Sequence, residues 1–286
     1  MSFIKKIKHK YIWKRILLER LAEPLHLNIL SVFIFLFGSY RSKIFFDLII
    51  RQQHAFGLLK AAERAQKLGY KSVSVIEFGV ASGAGLMNIQ KIATRIQKMT
   101  GVKFEIYGFD NIIGMPPHKD FRDHPDLYKE GDFPMSRELL KKHLDGNTFL
   151  IEGYIKENIK SFLHNLSPES PIGFVSIDVD YYSSTKDALT VFDDKYSKYL
   201  DIVYLYFDDI QLEEHNGLCG ELLAISEFNQ RHKRRIIEKF AFLENTRIFK
   251  HANWLKHIRL LHILDHPHRN KTNDKPTYHI ENHYIS

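Results

Sequence analysis

Short apolar runs alternate with amphipathic stretches through the middle of the chain. Val73–Phe78 is a β-branched run that ends at a glycine-rich segment, and Leu86–Met99 follows with its apolar residues at helical spacing. Phe104–Phe109 is a second short apolar run. The order strand, glycine-rich turn, helix, strand is that of a βαβ unit, which pairs its two strands in parallel.

The same alternation continues to residue 262 and predicts further strands and helices. Gly69 follows the first helix at the position of a C-cap, and Ser183 or Ser184 precedes a later helix at the position of an N-cap. The pattern predicts an α/β fold of the Rossmann-like, doubly wound type, with a mostly parallel sheet and helices on both faces. The remaining predicted strands are Thr148–Ile151, Gly173–Ile177 and Asp201–Phe207, and the helices are Ile44–Leu68, Ser136–Leu144, Lys156–Leu163, Ser184–Phe192 and Gly220–His232.

The two ends of the chain differ in composition from its middle. Residues 1–50 predict a basic and apolar helical N-terminal extension, residues 51–264 the α/β domain, and residues 265–286 a polar C-terminal tail. The apolar run Leu25–Phe37 is too short to span a bilayer. The extension therefore predicts either a helical cap on the domain or an amphipathic helix that contacts an anionic membrane surface through residues 1–37.

The overall composition is that of a soluble globular protein. The chain has 286 residues, 44% of them hydrophobic, which is enough to bury a core without disulfides. Its net charge of +7 suits an anionic partner, which includes nucleic acid, a phosphorylated substrate or a membrane surface. The single cysteine, Cys219, excludes an internal disulfide and argues against a cysteine zinc site. These features predict a cytoplasmic location, either free or peripheral at the inner membrane surface.

The segment Glu77–Gly85 has the features of a ligand-binding turn. It reads EFGVASGAG, and glycines after a first strand let the backbone approach a ligand beside a helix N-terminus. The spacing differs from the dinucleotide fingerprint, and an acidic residue at its start disfavours a pyrophosphate and suits a cationic sulfonium cofactor with an amino group. Asp110 ends the next strand, where a carboxylate can accept hydrogen bonds from both ribose hydroxyls.

Four aspartates follow two later strands. Asp178 and Asp180 come after Gly173–Ile177, and Asp208 and Asp209 come after the next strand. Because the carboxyl ends of parallel strands meet at one edge of a sheet, these side chains are expected to lie close together. Their carboxylate oxygens would then form a ligand set suited to Mg²⁺. Three of the four would hold the metal ion, and the remaining one, Asp180, would serve as general base on a substrate hydroxyl. The alternative is that they are helix N-caps and exposed loop aspartates.

The glycine-rich segment carries a resemblance to a known class of enzymes. EFGVASGAG followed by YGFDNIIGMP resembles motifs I and II of class I S-adenosylmethionine-dependent methyltransferases. The resemblance implies that S-adenosylmethionine is the cofactor, that Glu77, Gly79 and Gly83 line its methionine half, and that Asp110 holds its ribose. The full expected cofactor site comprises Glu77, Gly79, Ala81, Ser82, Gly83, Gly85, Asp110 and Asn111.

The aspartate segments carry a narrower resemblance over roughly residues 50–265. IDVDYYSSTKDAL, followed by YFDD, resembles the macrocin-type sugar O-methyltransferases and a set of uncharacterised bacterial methyltransferases that also carry EFGVASG and GELLAIxEFN. The resemblance implies that Asp178, Asp208 and Asp209 hold Mg²⁺ and that Asp180 is the base, with Asp178 and Asp180 as the catalytic pair. The chain departs from the macrocin type in having Val179 in place of a glycine and in lacking its aromatic-Trp-Arg ending.

Several histidines are weaker candidates for chemistry. His215 follows the second aspartate pair and is interpreted as an exposed loop residue rather than a metal ligand. His262, His266 and His268 lack partner cysteines and are interpreted as part of a solvated tail. The irregular insertion 111–134 lies at the mouth of the expected crevice, where acceptor specificity usually resides.

These features together predict a Mg²⁺-dependent O-methyltransferase that acts on a sugar, a glycan or a related hydroxylated small molecule. A homo-oligomer is compatible with them. One alternative is a nucleic-acid methyltransferase. The sequence has no NPPY-like motif, which argues against nucleic acid as the partner. The other is a non-catalytic membrane-surface binding protein that kept the fold, against which the intact aspartates argue.

Overall fold

A seven-stranded sheet organises the described part of the chain, residues 9–21 and 23–272 of a computed structural model. Its strand order is β3-β2-β1-β4-β5-β7-β6. The first five strands pair in parallel, and β7 runs antiparallel to both of its neighbours. The strands are β1 (Ser72–Phe78), β2 (Lys103–Asp110), β3 (Thr148–Glu152), β4 (Ile172–Ile177), β5 (Tyr199–Phe207), β6 (Arg235–Lys239) and β7 (Ile258–Ile263).

Helices cover both faces of this sheet, so the predicted Rossmann-like, doubly wound fold is confirmed. The helices are α1 (Lys10–Lys14), continued by a π-helical turn (Arg15–Glu19), α2 (Leu25–Phe37), α3 (Tyr40–Phe45), α4 (Gln52–Leu68), α5 (Ala84–Thr100), α6 (Arg137–Lys141), α7 (Ile155–Asn165), α8 (Tyr182–Leu189) and α9 (Gly220–Arg231). Short 3₁₀ turns lie at Phe121–Asp123, Thr190–Phe192, Tyr196–Lys198, Glu244–Thr246, Asn253–His257 and Pro267–Asn270.

The two faces have separate cores. Helices α4 and α5 pack with Val73 and Val75 of β1 on one face, whereas α7, α8 and α9 pack with Ile76 and Phe78 on the other. Because β1 is covered on both faces, its apolar run is nearly continuous and lacks the alternation of a half-exposed strand. This is why the sequence predicted its type and position closely.

The first predicted long helix, Ile44–Leu68, is wrong, because the chain breaks between α3 and α4. Asp47 and Arg51 take left-handed backbone conformations there, with φ of 52° and 53°. The buried Asp47 carboxylate accepts hydrogen bonds from Arg247 and from the indole of Trp254. A buried ion pair made with a residue distant in the sequence thus overrides the helical periodicity of the segment.

The predicted serine cap of α8 is also wrong. The helix begins at Tyr182 with no side-chain cap from its own segment. Asp123 of the insertion instead accepts hydrogen bonds from the Ser183 backbone N–H (2.7 Å) and hydroxyl (3.0 Å). The insertion is therefore tied to the N-terminal turn of the helix that follows the first aspartate pair.

The first part of the predicted tail is docked rather than solvated. His266 is buried, and the His268 ring lies 2.8 Å from the buried Asp201 carboxylate, which also pairs with Arg64. His262 lies within β7. The remainder of the predicted tail, 273–286, lies outside the described residues. Within the described ranges, the structure has no helix that combines the length and apolar character needed to cross a membrane.

Candidate active site

The carboxyl ends of β1, β2 and β4 open onto a cavity of about 650 Å³. This volume is in the range of small-molecule and cofactor sites. The expected cofactor residues line it with one exception, and three of the four candidate aspartates do so as well. The lining includes Glu77, Gly79, Ala81, Ser82, Gly85, Asp110, Asn111, Asp178, Asp180 and Asp208.

Two glycines of the loop are required by close approaches. A Cβ on Gly79 would lie 1.7 Å from the backbone oxygen of Asp178, so the loop and the end of β4 touch here without room for a side chain. A Cβ on Gly85 would lie 1.9 Å from Oε1 of Glu77. A side chain at residue 85 would collide with Glu77, so glycine at this position leaves room for the buried Glu77 carboxyl, which lines the cavity.

Gly83 is the expected cofactor residue that does not line the cavity. It is the N-cap of α5 with φ of 82°, and a Cβ there would lie 2.3 Å from the Leu140 side chain. Its left-handed conformation favours glycine and turns the loop into the helix. Contact of Gly83 with a cofactor stays a prediction.

Asp110 holds the glycine-rich loop in place. Its Oδ2 accepts hydrogen bonds from the backbone N–H groups of Val80 (2.9 Å) and Ala81 (2.8 Å), and its Oδ1 accepts one from Ile112 (2.9 Å). A carboxylate has about four acceptor positions, so one remains for a ligand hydroxyl. The expected ribose contact stays a prediction, and the sequence missed the contacts of Asp110 with the loop.

Glu77 is a buried carboxyl that lacks one partner. It is 2% exposed, and its Oε2 has no hydrogen-bond partner among the described residues. Burial, and then the neighbouring Asp178, raises the pKa of Glu77 well above its ordinary value. A buried acceptor of this kind is costly unless a donor or a cation approaches it from the cavity.

Arg51 is a cationic residue that sequence analysis did not identify. It lines the cavity in a left-handed backbone conformation, at the break before α4. Glu77 and Asp178 line the same cavity, and the Arg51 charge lowers the pKa of both carboxyls against the larger effect of burial. Within residues 9–21 and 23–272 it forms no ion pair closer than 4.0 Å. Strained backbone of this kind is common at functional sites.

Three aspartates form a close acidic group, and two of them, Asp178 and Asp180, line the cavity. Asp178, Asp180 and Asp209 each offer a carboxylate oxygen within 4.8 Å of the others. Burial, together with repulsion from the neighbouring carboxylates, raises the pKa of Asp180 to about 6 and that of Asp209 to about 8. Burial and then Asp208 likewise raise the pKa of Asp178. A divalent cation would offset this repulsion.

The grouping differs in one member from the metal set that the sequence suggested. Asp208 accepts a hydrogen bond from the Tyr206 hydroxyl, whereas Asp180, the predicted base, belongs to the close group. Asp180 has a φ of 58° and receives a hydrogen bond from Tyr128 of the insertion. Asp208 remains near enough to raise the pKa of Asp178. The individual roles of the four aspartates stay predictions.

A buried glutamate, which sequence analysis missed, contacts this acidic group. Glu221 at the start of α9 is fully buried, and its Oε2 accepts a hydrogen bond from the Asp209 N–H at 3.0 Å. Burial, and then Asp209, raises the pKa of Glu221 well above its ordinary value. Glu221 lies in the segment GELLAIxEFN, which carries part of the resemblance noted above, but its position at a helix N-terminus is ordinary for an acidic residue and assigned it no role.

The interpretation of His215 as an exposed loop residue is wrong. It is 7% exposed, and its ring stacks on that of His124 from the insertion, with 4.3 Å between ring centroids. Burial, followed by His124, lowers the pKa of His215 to about 4, so the residue is neutral near pH 7. The pair packs against Gly220, where a Cβ would lie 2.6 Å from Nδ1 of His215. The polar sequence of this loop predicted exposure, but a histidine that is uncharged and stacked on another ring can be buried there.

The chain matches no protein-family model and no curated protein sequence. Solved structures with a similar fold include the calicheamicin methyltransferase CalS11, which is 18% identical, with a TM-score of 0.47 over 79% of this chain and 85% of that one. The O-methyltransferase NovP is 16% identical, with a TM-score of 0.46 over 63% of this chain and 72% of that one. CmcI in its Mg-SAM form is 12% identical, with a TM-score of 0.37 over 71% of this chain and 70% of that one. At these values none of the three indicates a cofactor or an acceptor for this chain.

Proposed function

We propose that this protein is an S-adenosylmethionine-dependent methyltransferase that methylates a hydroxyl group with the help of a bound Mg²⁺. The observation that carries the proposal is the buried Glu77 carboxyl, which lines a glycine-rich cavity and has one oxygen without a donor among the described residues. A ligand that ends in a protonated amino group beside a sulfonium would give this oxygen its missing donor and offset its charge.

The cavity offers complementary groups for the rest of such a ligand. Arg51 is the cation placed to pair with an amino-acid carboxylate, because it lies near Glu77 without a close ion pair of its own in the described chain. Gly79, Ala81, Ser82 and Gly85 bring backbone close to the ligand, and Asp110 retains an acceptor position for a ribose hydroxyl. Asn111 lines the same side of the cavity.

The acidic group supports a divalent cation. Asp178 and Asp209 would hold it together with Asp208, since carboxylate oxygens are the hard donors that Mg²⁺ takes in proteins, and Asp180 beside them would remain available as a base. The unpartnered Oδ2 of Asp209, one of the buried atoms without a donor among the described residues, fits this role.

The residues then have distinct chemical tasks. S-adenosylmethionine supplies, when bound, a methyl group on a sulfonium that is open to in-line attack. Asp180 lines the cavity and would accept the proton of the acceptor hydroxyl, while the Tyr128 hydrogen bond fixes its carboxylate. The insertion, tied to α8 through Asp123, would orient the acceptor and exclude water.

The acceptor class rests on the resemblance of IDVDYYSST to the macrocin-type sugar O-methyltransferases. We therefore propose a sugar, a glycan or a related hydroxylated small molecule as the acceptor.

The test is calorimetric titration of S-adenosylmethionine and S-adenosylhomocysteine into the purified protein, with Mg²⁺ and with a chelator. We expect both ligands to bind, with the product bound at least as tightly as the cofactor. Methyl transfer to sugar acceptors should then require Mg²⁺. If neither ligand binds to a demonstrably folded sample, the proposal is wrong.

A further inference from the structure

The N-terminal helices are fixed to the domain rather than loosely appended. Ile12, Ile16 and Phe35 form a small core with Phe46, Leu48 and Phe249, the last of which comes from the far end of the chain. This core gives α1, α2 and the turn between them a defined buried face.

Two inward-pointing arginines reinforce this attachment. Arg15 donates hydrogen bonds to the backbone oxygens of Asp47 (2.7 Å) and Ile49 (3.0 Å). Arg20 donates to Ser31 of α2 (3.1 Å), and its guanidinium lies 3.6 Å from the centre of the Phe249 ring. Because both arginines bind groups of the domain and of α2, they hold this basic segment in one orientation.

The opposite face of the same helices is apolar and exposed to solvent. Leu21, Leu25, Ile29 and Phe33 are 77%, 74%, 64% and 60% exposed, and three of them follow one another at intervals of four residues on α2. Residues that recur in this way form a ridge along one side of a helix. We call these four residues, together with the exposed Leu17 and Leu18, the apolar ridge.

Exposed apolar side chains grouped along neighbouring helical segments in this way are typical of a docking site. The helix that carries Leu25, Ile29 and Phe33 contains no aspartate, glutamate, lysine or arginine. Glu19 and Glu23 lie between Leu18 and Leu25 in the sequence, and the charge of Glu19 is offset by Arg15 at 3.6 Å. Lys10 and Lys14 are exposed on the preceding helix, and the sequence before it adds Lys5, Lys6 and Lys8 with no acidic residue. An apolar ridge flanked by positive charge is complementary to an anionic lipid surface.

We infer that the apolar ridge docks this protein onto the surface of an anionic lipid bilayer, with α2 lying in the interface. Charge favours this occupant over a second copy of the chain, because pairing two ridges would bring two lysine-rich segments to one interface. The inference does not depend on the proposed methyl transfer and adds a location to it.

The test is co-sedimentation of the full chain with vesicles of phosphatidylcholine mixed with phosphatidylglycerol, and with vesicles of phosphatidylcholine alone. We expect binding to the anionic vesicles that weakens with added salt. The double variant Ile29→Ser, Phe33→Ser should lower the partition coefficient about 100-fold or more, because two large side chains no longer enter the interface. Lys10→Gln with Lys14→Gln should lower it about 30-fold on anionic vesicles only.

A matched control removes equally exposed apolar residues elsewhere. Leu218 and Phe242 are 73% and 72% exposed, and changing both to serine should leave vesicle binding unchanged. Light scattering of the same samples reports the oligomeric state. The inference is overturned if the wild type does not bind anionic vesicles, or if the ridge variant binds as well as the wild type. It is also overturned if the wild type is a dimer in solution that the ridge variant converts to a monomer, since a second copy would then cover the ridge.

Discussion

Replacing Glu77 by glutamine removes one charge from the cavity floor while keeping the shape of the side chain. Glu77 is 2% exposed, and its Oε2 has no donor in the described part of the chain, so a cationic ligand group would be its partner. Truncating one member of a buried, hydrogen-bonded charge pair costs about 2–5 kcal/mol. Since glutamine retains an acceptor, we expect the lower part of that range, about 2–3 kcal/mol, or about 30- to 150-fold weaker binding.

Although Glu77→Gln should weaken ligand binding, it should not lower the free energy of unfolding of the protein without ligand. The folded-state pKa of Glu77 is raised above its unfolded value, so its contribution to stability is full below the unfolded pKa and is lost as the pH rises through the folded pKa. At neutral pH the wild type carries this penalty and the glutamine variant does not. We therefore expect Glu77→Gln to be at least as stable as the wild type by chemical denaturation.

The assay compares calorimetric affinities for S-adenosylmethionine and S-adenosylhomocysteine, which share the amino group, in the wild type and the variant. Glu63→Gln is the control. Glu63 lies on α4 outside the cavity, where it pairs with Arg41 of α3 and Lys60 of α4, so its replacement should not change either affinity. Unchanged affinity of the Glu77 variant for both ligands would refute the assignment of this carboxyl. Loss of binding together with loss of stability would mean that Glu77 supports the fold rather than the ligand.

Further predictions concern the cation, the metal and the pH dependence. Arg51→Gln should weaken S-adenosylmethionine binding about 10-fold or more without lowering the unfolding midpoint, and equal calorimetric affinity would contradict its pairing with the carboxylate. Asp178→Asn should abolish methyl transfer and Mg²⁺ binding while sparing cofactor binding, and full activity of this variant would exclude the metal assignment. Burial lowers the pKa of His54 to about 3, so the stability linked to its neutral form is present above its unfolded pKa of 6.5 and is lost as the pH falls towards 3. On this account the wild type should lose about 1 kcal/mol more free energy of unfolding than His54→Gln between about pH 7 and about pH 5.5, when both are unfolded by urea. The buried carboxyl groups contribute equally to both proteins, so an identical pH dependence of the two would contradict the assignment to His54.

The five parallel strands and the acidic residues near their carboxyl ends were predictable from the sequence, whereas β6 and β7 were not predicted. Val73–Phe78 and Gly173–Ile177 are largely apolar because both faces of the central strands are covered, and such short apolar runs predict buried strands. Glu77, Asp110 and Asp178 then follow from a topological rule, since the carboxyl ends of parallel strands lie at one edge of the sheet. The close approaches at Gly79 and Gly85 explain why the glycine spacing was informative.

What the sequence could not provide is the identity of partners that are distant along the chain. Local pattern does not reveal that Asp180 joins Asp178 and Asp209 while Asp208 turns to Tyr206, because the choice depends on backbone conformation and register across two strands. Nor does it reveal that Asp47 breaks a helix to meet Arg247, or that His215 is buried on His124. Periodicity and turn chemistry act over a few residues, whereas burial, carboxylate repulsion and stacking are fixed only when distant segments pack together. The sequence by itself therefore determined the architecture and the edge where chemistry is possible, and the tertiary structure decided which side chains face one another there.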